Sequence, residues 1–216
     1  MTDLPGSEVT VYVVDDNQDM REGIEWMLTS VGYFTKSFRD AESCLSLIQP
    51  RKAYCIVVDS LMPGMTGLQF CRQVFAINHG VSVIMISAHG DVMTAVEAMK
   101  VGVFDFFLKP FSREHLLNAV NGAVEQAKAR QVEFAEEEAV AQRLQMLTSR
   151  ERAVMDCVCE GMVTKQIANK LEISSRTVDV HRASISAKLG IQSPMQLSYV
   201  MMLESRRKHR PSRSAG

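Results

Sequence analysis

The chain has 216 residues, 46% of them hydrophobic and 23% charged, enough for one large or two small domains with real cores. It contains no run of about eighteen apolar residues, and its N-terminus lacks a basic segment followed by an apolar core, which argues against membrane insertion and secretion. The net charge of −1 hides an asymmetry: Met1–Leu147 carries twelve Lys or Arg against nineteen Asp or Glu, whereas Thr148–Gly216 carries twelve against six. The first part suits a bound cation and the second a polyanion, which divides the chain into two domains.

Met1 to Glu8 is polar, contains Pro5-Gly6 and is expected to fray. The apolar run Val11 to Val14 reads as a strand and ends in Asp15-Asp16. A helix is expected near Asp19 to Ser30, with Met20, Ile24, Met27, Leu28 and Val31 at helical spacing. A short strand near Phe34 to Phe38 and a helix from Asp40 to Ile48 follow. Cys55 to Val58 is a third strand, closed by Asp59, and the chain then turns through Pro63, Gly64 and Gly67 into a helix reaching about Phe75. Val83 to Ile86 is a fourth strand ending in Ser87. Asp91 then caps a helix to Val101 whose Val92, Ala95, Val96 and Met99 share one side. A fifth strand, Phe106 to Leu108, ends in Lys109-Pro110, and Ser112 caps the next helix. Five strands alternating with five helices indicate a doubly wound parallel α/β sheet with right-handed crossovers.

The strand ends carry the chemistry. An aspartate at the carboxyl end of a central parallel strand sits where open α/β sheets place their ligands. Asp15, Asp16 and Asp59 cannot all ionise close together unless a cation lies among them, and hard oxygen donors without His or Cys point to Mg2+. Ser87 offers a hydroxyl to an anionic oxygen, and Lys109 a point charge suited to a phosphoryl oxygen. The five cysteines show no metal or disulfide spacing, since Cys157 and Cys159 enclose only one residue; most are expected as buried free thiols in a reducing cytoplasm.

With Asp15-Asp16, Asp59, the MPGMTG loop, Ser87-Ala88, Phe106 and Lys109-Pro110 in that order, residues from about Thr10 to Val120 resemble the receiver domain of bacterial two-component response regulators. The resemblance implies that Asp59 is the phosphoacceptor. It makes Asp16 a magnesium ligand, with Asp15 assisting and the Leu61 carbonyl completing the protein donors. Ser87 and Lys109 would contact the phosphoryl oxygens, Phe106 would be the switch aromatic, and the Lys109-Pro110 bond would be cis. Leu61 and His89 would border the path of a hydrolytic water. A haloacid-dehalogenase-like phosphatase, the competing enzyme reading, needs a second acid two residues beyond its nucleophile, and that position here is Leu61. A DNA-binding protein with a degenerate receiver is the third reading; the intact Asp15-Asp16, Asp59, Ser87 and Lys109 argue against it.

Ala123 to Leu147 is rich in Ala, Glu, Gln, Arg and Leu without Gly or Pro, and reads as a helical linker continuous with the fifth receiver helix. One helix from Ser112 to Met146 would measure about 50 Å at 1.5 Å per residue. Glu136-Glu137-Glu138 reads as a solvated face. Beyond it, Thr148 or Ser149 caps a helix ending at Gly161, and Thr164 starts a second running to Leu171 with Ile167, Ala168 and Leu171 inward. Ser174 or Ser175 caps a third reaching Leu189-Gly190, and Ser193-Pro194 opens a fourth. The second and third fit a helix-turn-helix. The expected partition is a receiver over 1–121, a helical linker over 122–146 and an all-α DNA-binding domain over 147–216.

LTSRERAVM (Leu147 to Met155), Gly161, KQIANKLEIS (Lys165 to Ser174) and RTVDVHRASISAKLG (Arg176 to Gly190) resemble the DNA-binding domain of quorum-sensing and nitrate-responsive regulators. Together the two halves resemble response regulators of the nitrate and nitrogen-fixation subfamily, among them regulators of aromatic-hydrocarbon catabolism. By position, Thr177, Val180, His181 and Arg182 would enter or flank the major groove, with Lys165, Ser174, Ser175, Arg176 and Lys188 on phosphates. Asp179 either accepts from a cytosine or points away. Arg206-Arg207-Lys208 reads as a solvated, disordered end. The resemblance implies a sensor histidine kinase, promoter DNA, RNA polymerase and a second copy of the chain as partners.

Overall fold

The computed structural model describes residues 9–88 and 92–209, so the fraying expected of residues 1–8, the Asp91 cap and the His89 position fall outside the described residues. Five strands, β1 (Val11–Val14), β2 (Thr35–Phe38), β3 (Tyr54–Asp59), β4 (Val81–Ser87) and β5 (Asp105–Leu108), form one parallel sheet in the order β2-β1-β3-β4-β5. β1, β3 and β4 are buried along their whole length, because side chains on both faces meet helices. Tyr12, Val14, Ile56, Val58, Val83 and Met85 point to one face. There they meet α2 (Ala41–Leu45), α3 (Gly67–Ile77) and α4 (Val92–Val101). Val11, Val13, Val57, Ile84 and Ile86 point to the other, against α1 (Gln18–Thr29) and α5 (Arg113–Gln145). This period of two sends alternate residues of each central strand into two separate cores.

Side-chain caps fix the helix starts. Asn17 accepts the Met20 N–H for α1, Asp40 the Ser43 N–H for α2, and Thr66 with Gln69 closes a capping box on α3. Val31 departs from expectation: α1 ends at Thr29, and Val31 lies exposed in the turn beyond it. The α4 stripe also departs from the usual rule. Val92 and Met99 are 72% and 54% exposed, and it is Ala98 that packs on the sheet. The small Ala98, with Val101 packed beside it, lets that helix lie close, while Val92 and Met99 stay outside.

The compact units part between Phe134 and Ala135, within α5. α5 carries the expected linker helix as far as Gln145, with Met146 in the turn beyond it, but the stretch is no free spacer. Ala123, Val124 and Ala127 complete the receiver core. Gln131 accepts the Ala53 N–H at 2.8 Å, Arg130 donates to the Val81 carbonyl at 2.7 Å, and Gln126 accepts from Ser82 at 2.8 Å. Val140 and Leu144 instead belong to the second core, with α6 (Ser149–Cys159), α7 (Thr164–Leu171), α8 (Ser175–Leu189) and α9 (Pro194–His209). In that unit the acidic run is not simply solvated: Glu137 is 1% exposed, and Glu136 accepts from Tyr199. Arg206, Arg207 and Lys208, expected to be disordered, lie within α9, where Lys208 pairs with Glu204 at 3.3 Å.

Gly161 and Gly190 adopt positive φ just past α6 and α8, where a left-handed residue stops a helix at little cost. Four of the cysteines are buried free thiols, as expected, and Cys159 is exposed. Burial pushes the Cys44, Cys55 and Cys71 thiols up to about 12, which leaves them unreactive.

Candidate functional site

The carboxyl ends of β1, β3, β4 and β5 bring Asp15, Asp59, Ser87 and Lys109 to one edge of the sheet. Lys109 Nζ lies 3.0 Å from Asp15 Oδ2 and 2.7 Å from Asp59 Oδ1. The Lys109-Pro110 bond is cis, and the Lys109 N–H donates to the Ser87 carbonyl at 2.7 Å, which ties two of the strand ends together. Asp15 is fixed from its other side: the Asn17 N–H donates to Oδ1 at 2.8 Å, and Arg21 donates to its carbonyl at 2.6 Å. Asp59 Oδ2 accepts the Leu61 N–H at 3.3 Å.

Burial raises the Asp59 pKa and the neighbouring Asp15 charge adds to the rise; Lys109 opposes both without cancelling them. Burial works to lower the Lys109 pKa, but its two aspartates outweigh that and raise it. The pair is thus a strained carboxylate beside a firmly protonated lysine.

Carboxylate oxygens of Asp15, Asp16 and Asp59 lie within 4.8 Å of one another, with Asp16 exposed and the other two buried. The buried Asp59 Oδ1 contacts Lys109 by distance yet has no aligned hydrogen-bond donor. Three hard oxygens, one of them incompletely satisfied, fit a divalent cation. Phe106 is half-buried at the sheet edge and borders a groove with Val92, Val96, Met99 and Leu108. Leu61 projects into solvent. Sequence reasoning passed over Ser60, whose hydroxyl donates to Ser87 Oγ at 2.8 Å. A lone serine after an aspartate gives no local sign of such a partner.

In the second unit α7 and α8 form the two helices of a helix-turn-helix, joined through Glu172 at φ 54. Ser174 caps α8 by accepting the Thr177 N–H at 3.0 Å. Lys165, Ser175, Arg176, Val180 and Arg182 are exposed, whereas Thr177 and His181 are half-buried. Thr164 donates to Asp179 at 3.4 Å and accepts from Arg182 at 3.3 Å, so Asp179 is turned to α7.

Lys188 is the exception among the expected phosphate contacts. Its ammonium is held by both oxygens of the buried Glu151, at 2.9 and 2.7 Å, and so braces α8 against α6. Lys188, Ser184 and the Thr148 N–H together hold the Glu151 carboxyl down at about 2, against an ordinary 4.5. A depressed folded-state pKa adds stability that is complete above about 4.5 and lost as pH falls through about 2. Acid titration of unfolding should therefore show a loss across that window that Glu151→Gln removes. A parallel loss in the variant would refute the role of this carboxylate.

An acidic edge on a doubly wound parallel sheet, followed by a helix-turn-helix, is the architecture of a receiver joined to a DNA-binding domain. Residues 11–121 match the response regulator receiver domain, and residues 145–201 match the bacterial regulatory proteins of the luxR family. The transcriptional regulatory protein FixJ of Rhizobium meliloti is 37% identical over 187 residues, 87% of this chain and 92% of FixJ. The response regulator protein TodT of Pseudomonas putida is 33% identical over 187 residues, 87% of this chain and 82% of TodT. The solved response regulator StyR superposes with a TM-score of 0.78 at 35% identity, covering 91% of this chain and 99% of that one. The chain belongs to the response regulators with a receiver and a LuxR-type DNA-binding domain, and is a transcriptional regulator. Among the described residues no helix is long and apolar enough to cross a membrane.

Proposed function

We propose that phosphorylation of Asp59 by a sensor histidine kinase turns this chain into a dimeric transcriptional activator. The observation that carries the reading is the lysine bridge: Lys109 already touches Asp59 and Asp15, so a cation stands beside the oxygen that would accept a phosphoryl group. In the transfer, a carboxylate oxygen of Asp59 forms the new O–P bond as the N–P bond to the kinase histidine breaks. Asp15, Asp16, Asp59 and the Leu61 carbonyl would hold Mg2+, which when bound offsets the charge gathered at the site. Lys109 and Ser87 then meet the phosphoryl oxygens. The acquired charge, about −1.5 to −2, draws Ser87 over, and Phe106 turns inward.

Movement of Phe106 changes the groove it shares with Val92, Val96, Met99 and Leu108. Their exposed side chains supply an apolar face for a second copy of the chain, which delivers two helix-turn-helix units to paired half-sites. Lys165, Ser174, Ser175 and Arg176 act on phosphates, and Thr177, Val180, His181 and Arg182 on the major groove. The receiver spans 1–121 and the DNA-binding domain 147–216, joined by the helix of 122–146. The protein works in the cytoplasm, recruits RNA polymerase and turns over no substrate of its own. Its target is an operon for aromatic-hydrocarbon catabolism of the styrene-pathway kind, a reading that rests on the sequence resemblance.

Footprinting on genomic DNA with and without acetyl phosphate tests this. Paired protected half-sites should appear at lower protein concentration with the donor. Identical footprints in both conditions would reject control by phosphorylation.

A further inference from the structure

The residue after Asp59 is held unusually firmly. The Ser60 N–H donates to the Ile86 carbonyl at 2.7 Å, and the Ser60 carbonyl accepts the Gly67 N–H at 2.9 Å. β3 and β4 run side by side, with Asp59 paired to Ile86, so Ser60 arrives next to Ser87. There the Ser60 hydroxyl donates to Ser87 Oγ, and the two side chains are buried, with residue exposures of 6% and 2%.

We propose that Ser60 is a positioning residue of the phosphoryl switch, whose hydroxyl latches Ser87 in its resting rotamer and so sets how readily Ser87 engages a group on Asp59. The inference rests on the reading of Asp59 as phosphoacceptor and of Ser87 as the hydroxyl that meets the phosphoryl oxygen.

The physical argument is one of competing partners. The bond from Ser60 is one of the contacts that hold Ser87 Oγ where it is, and breaking it takes from the buried Ser60 hydroxyl the acceptor it donates to, which is costly. To swing toward Asp59, Ser87 must carry Ser60 along or break that bond. Ser60 cannot follow, since its backbone is hydrogen-bonded on both sides, to β4 and to the start of α3. The bond therefore breaks on activation, and the resting state is favoured by its net worth. Removing the Ser60 hydroxyl takes away that preference while leaving Ser87, Lys109 and all three acids in place. Packing alone would explain a small residue at this position, but it would not link that residue's effect to Ser87.

The test is titration of the full-length protein with beryllofluoride in magnesium buffer, followed by calorimetry. Ser60→Ala should bind about fivefold more tightly than the parent, or about 1 kcal/mol at 1.4 kcal/mol per tenfold. Ser60→Thr, which keeps the hydroxyl, should restore binding to within about twofold of the parent. In a Ser87→Ala background, Ser60→Ala should have no effect, because the latch has nothing to hold. Unchanged or weaker binding by Ser60→Ala, or an effect that persists without Ser87, overturns the proposal. Should the parent itself fail to bind beryllofluoride, the reading of Asp59 falls instead, and the latch falls with it. Thermal melts of each variant establish that all are folded.

Discussion

Asp59→Ala is expected to abolish phosphoryl uptake from acetyl phosphate and to leave the receiver at least as stable as the parent. Loss of uptake follows from removing the carboxylate at the focus of the site; Asp15 is committed to Lys109, Asn17 and the helix start, and Asp16 is exposed. The stability claim follows from electrostatics. Burial, with Asp15 alongside, raises the Asp59 pKa despite Lys109, so folding disfavours the ionised carboxyl. A raised folded-state pKa in an acid means a cost that is present at neutral pH and vanishes as the carboxyl protonates on acidification. The gain from Asp59→Ala should therefore appear at neutral pH and shrink in acid. Lys109 loses one partner but keeps Asp15 at 3.0 Å, which limits the opposing loss. Labelled-donor uptake and thermal melts at neutral and acid pH measure both effects. Phosphorylation of the variant at the parent rate would refute the assignment of Asp59, and a melt lowered at neutral pH would refute the electrostatic argument.

Why the strand ends could be read so early is visible in their residues. Each apolar run is short, bounded by turn residues and closed by one side chain with chemistry, so Asp15, Asp59, Ser87 and Lys109 announced both the strands and the site edge. Helix starts were legible for a similar reason, since Asp40, Thr148 and Ser174 act within three residues of themselves. What escaped depends on partners distant in sequence. Lys188 looked like a phosphate contact because it is basic and lies in α8, the second helix of the helix-turn-helix; Glu151, 37 residues away, holds it. Gln131 and Arg130 looked like linker residues because their partners are the backbone of Ala53 and Val81, which carries no side-chain signature. Periodicity placed Val92, Val96 and Met99 on one side of α4, but no period says which side the sheet will take. The constraint on Gly67 was hidden for the same reason.

Gly67→Ala should destabilise the receiver by about 3 kcal/mol and slow phosphoryl uptake by at least about tenfold. The sequence reads Gly67 as the end of the turn and the start of a helix, and Gly67 is indeed the first residue of α3, without a positive φ that would call for glycine. In an ordinary helix alanine would be favoured over glycine by about 1 kcal/mol. Here a Cβ would stand 2.4 Å from the Asp59 carbonyl oxygen and 2.9 Å from Ser60 Cα. Both are backbone atoms at the end of a central strand, and neither can rotate away as a side chain would. Relief requires α3 to lift from β3, which breaks the Gly67 N–H to Ser60 carbonyl bond, or the Asp59 backbone to shift. A shift of that backbone carries the Asp59 carboxylate with it, and a misplacement of about 1 Å is enough to cost about a hundredfold in a reaction that depends on alignment. Gly23→Ala supplies the contrast: it lies within α1, and its added Cβ would meet nothing within 4 Å. That variant should gain up to about 1 kcal/mol and phosphorylate as the parent does. Urea unfolding with labelled-donor uptake separates the cases. If Gly67→Ala unfolds at the same urea concentration as the parent, the close approach of α3 to the end of β3 is not what makes glycine necessary there.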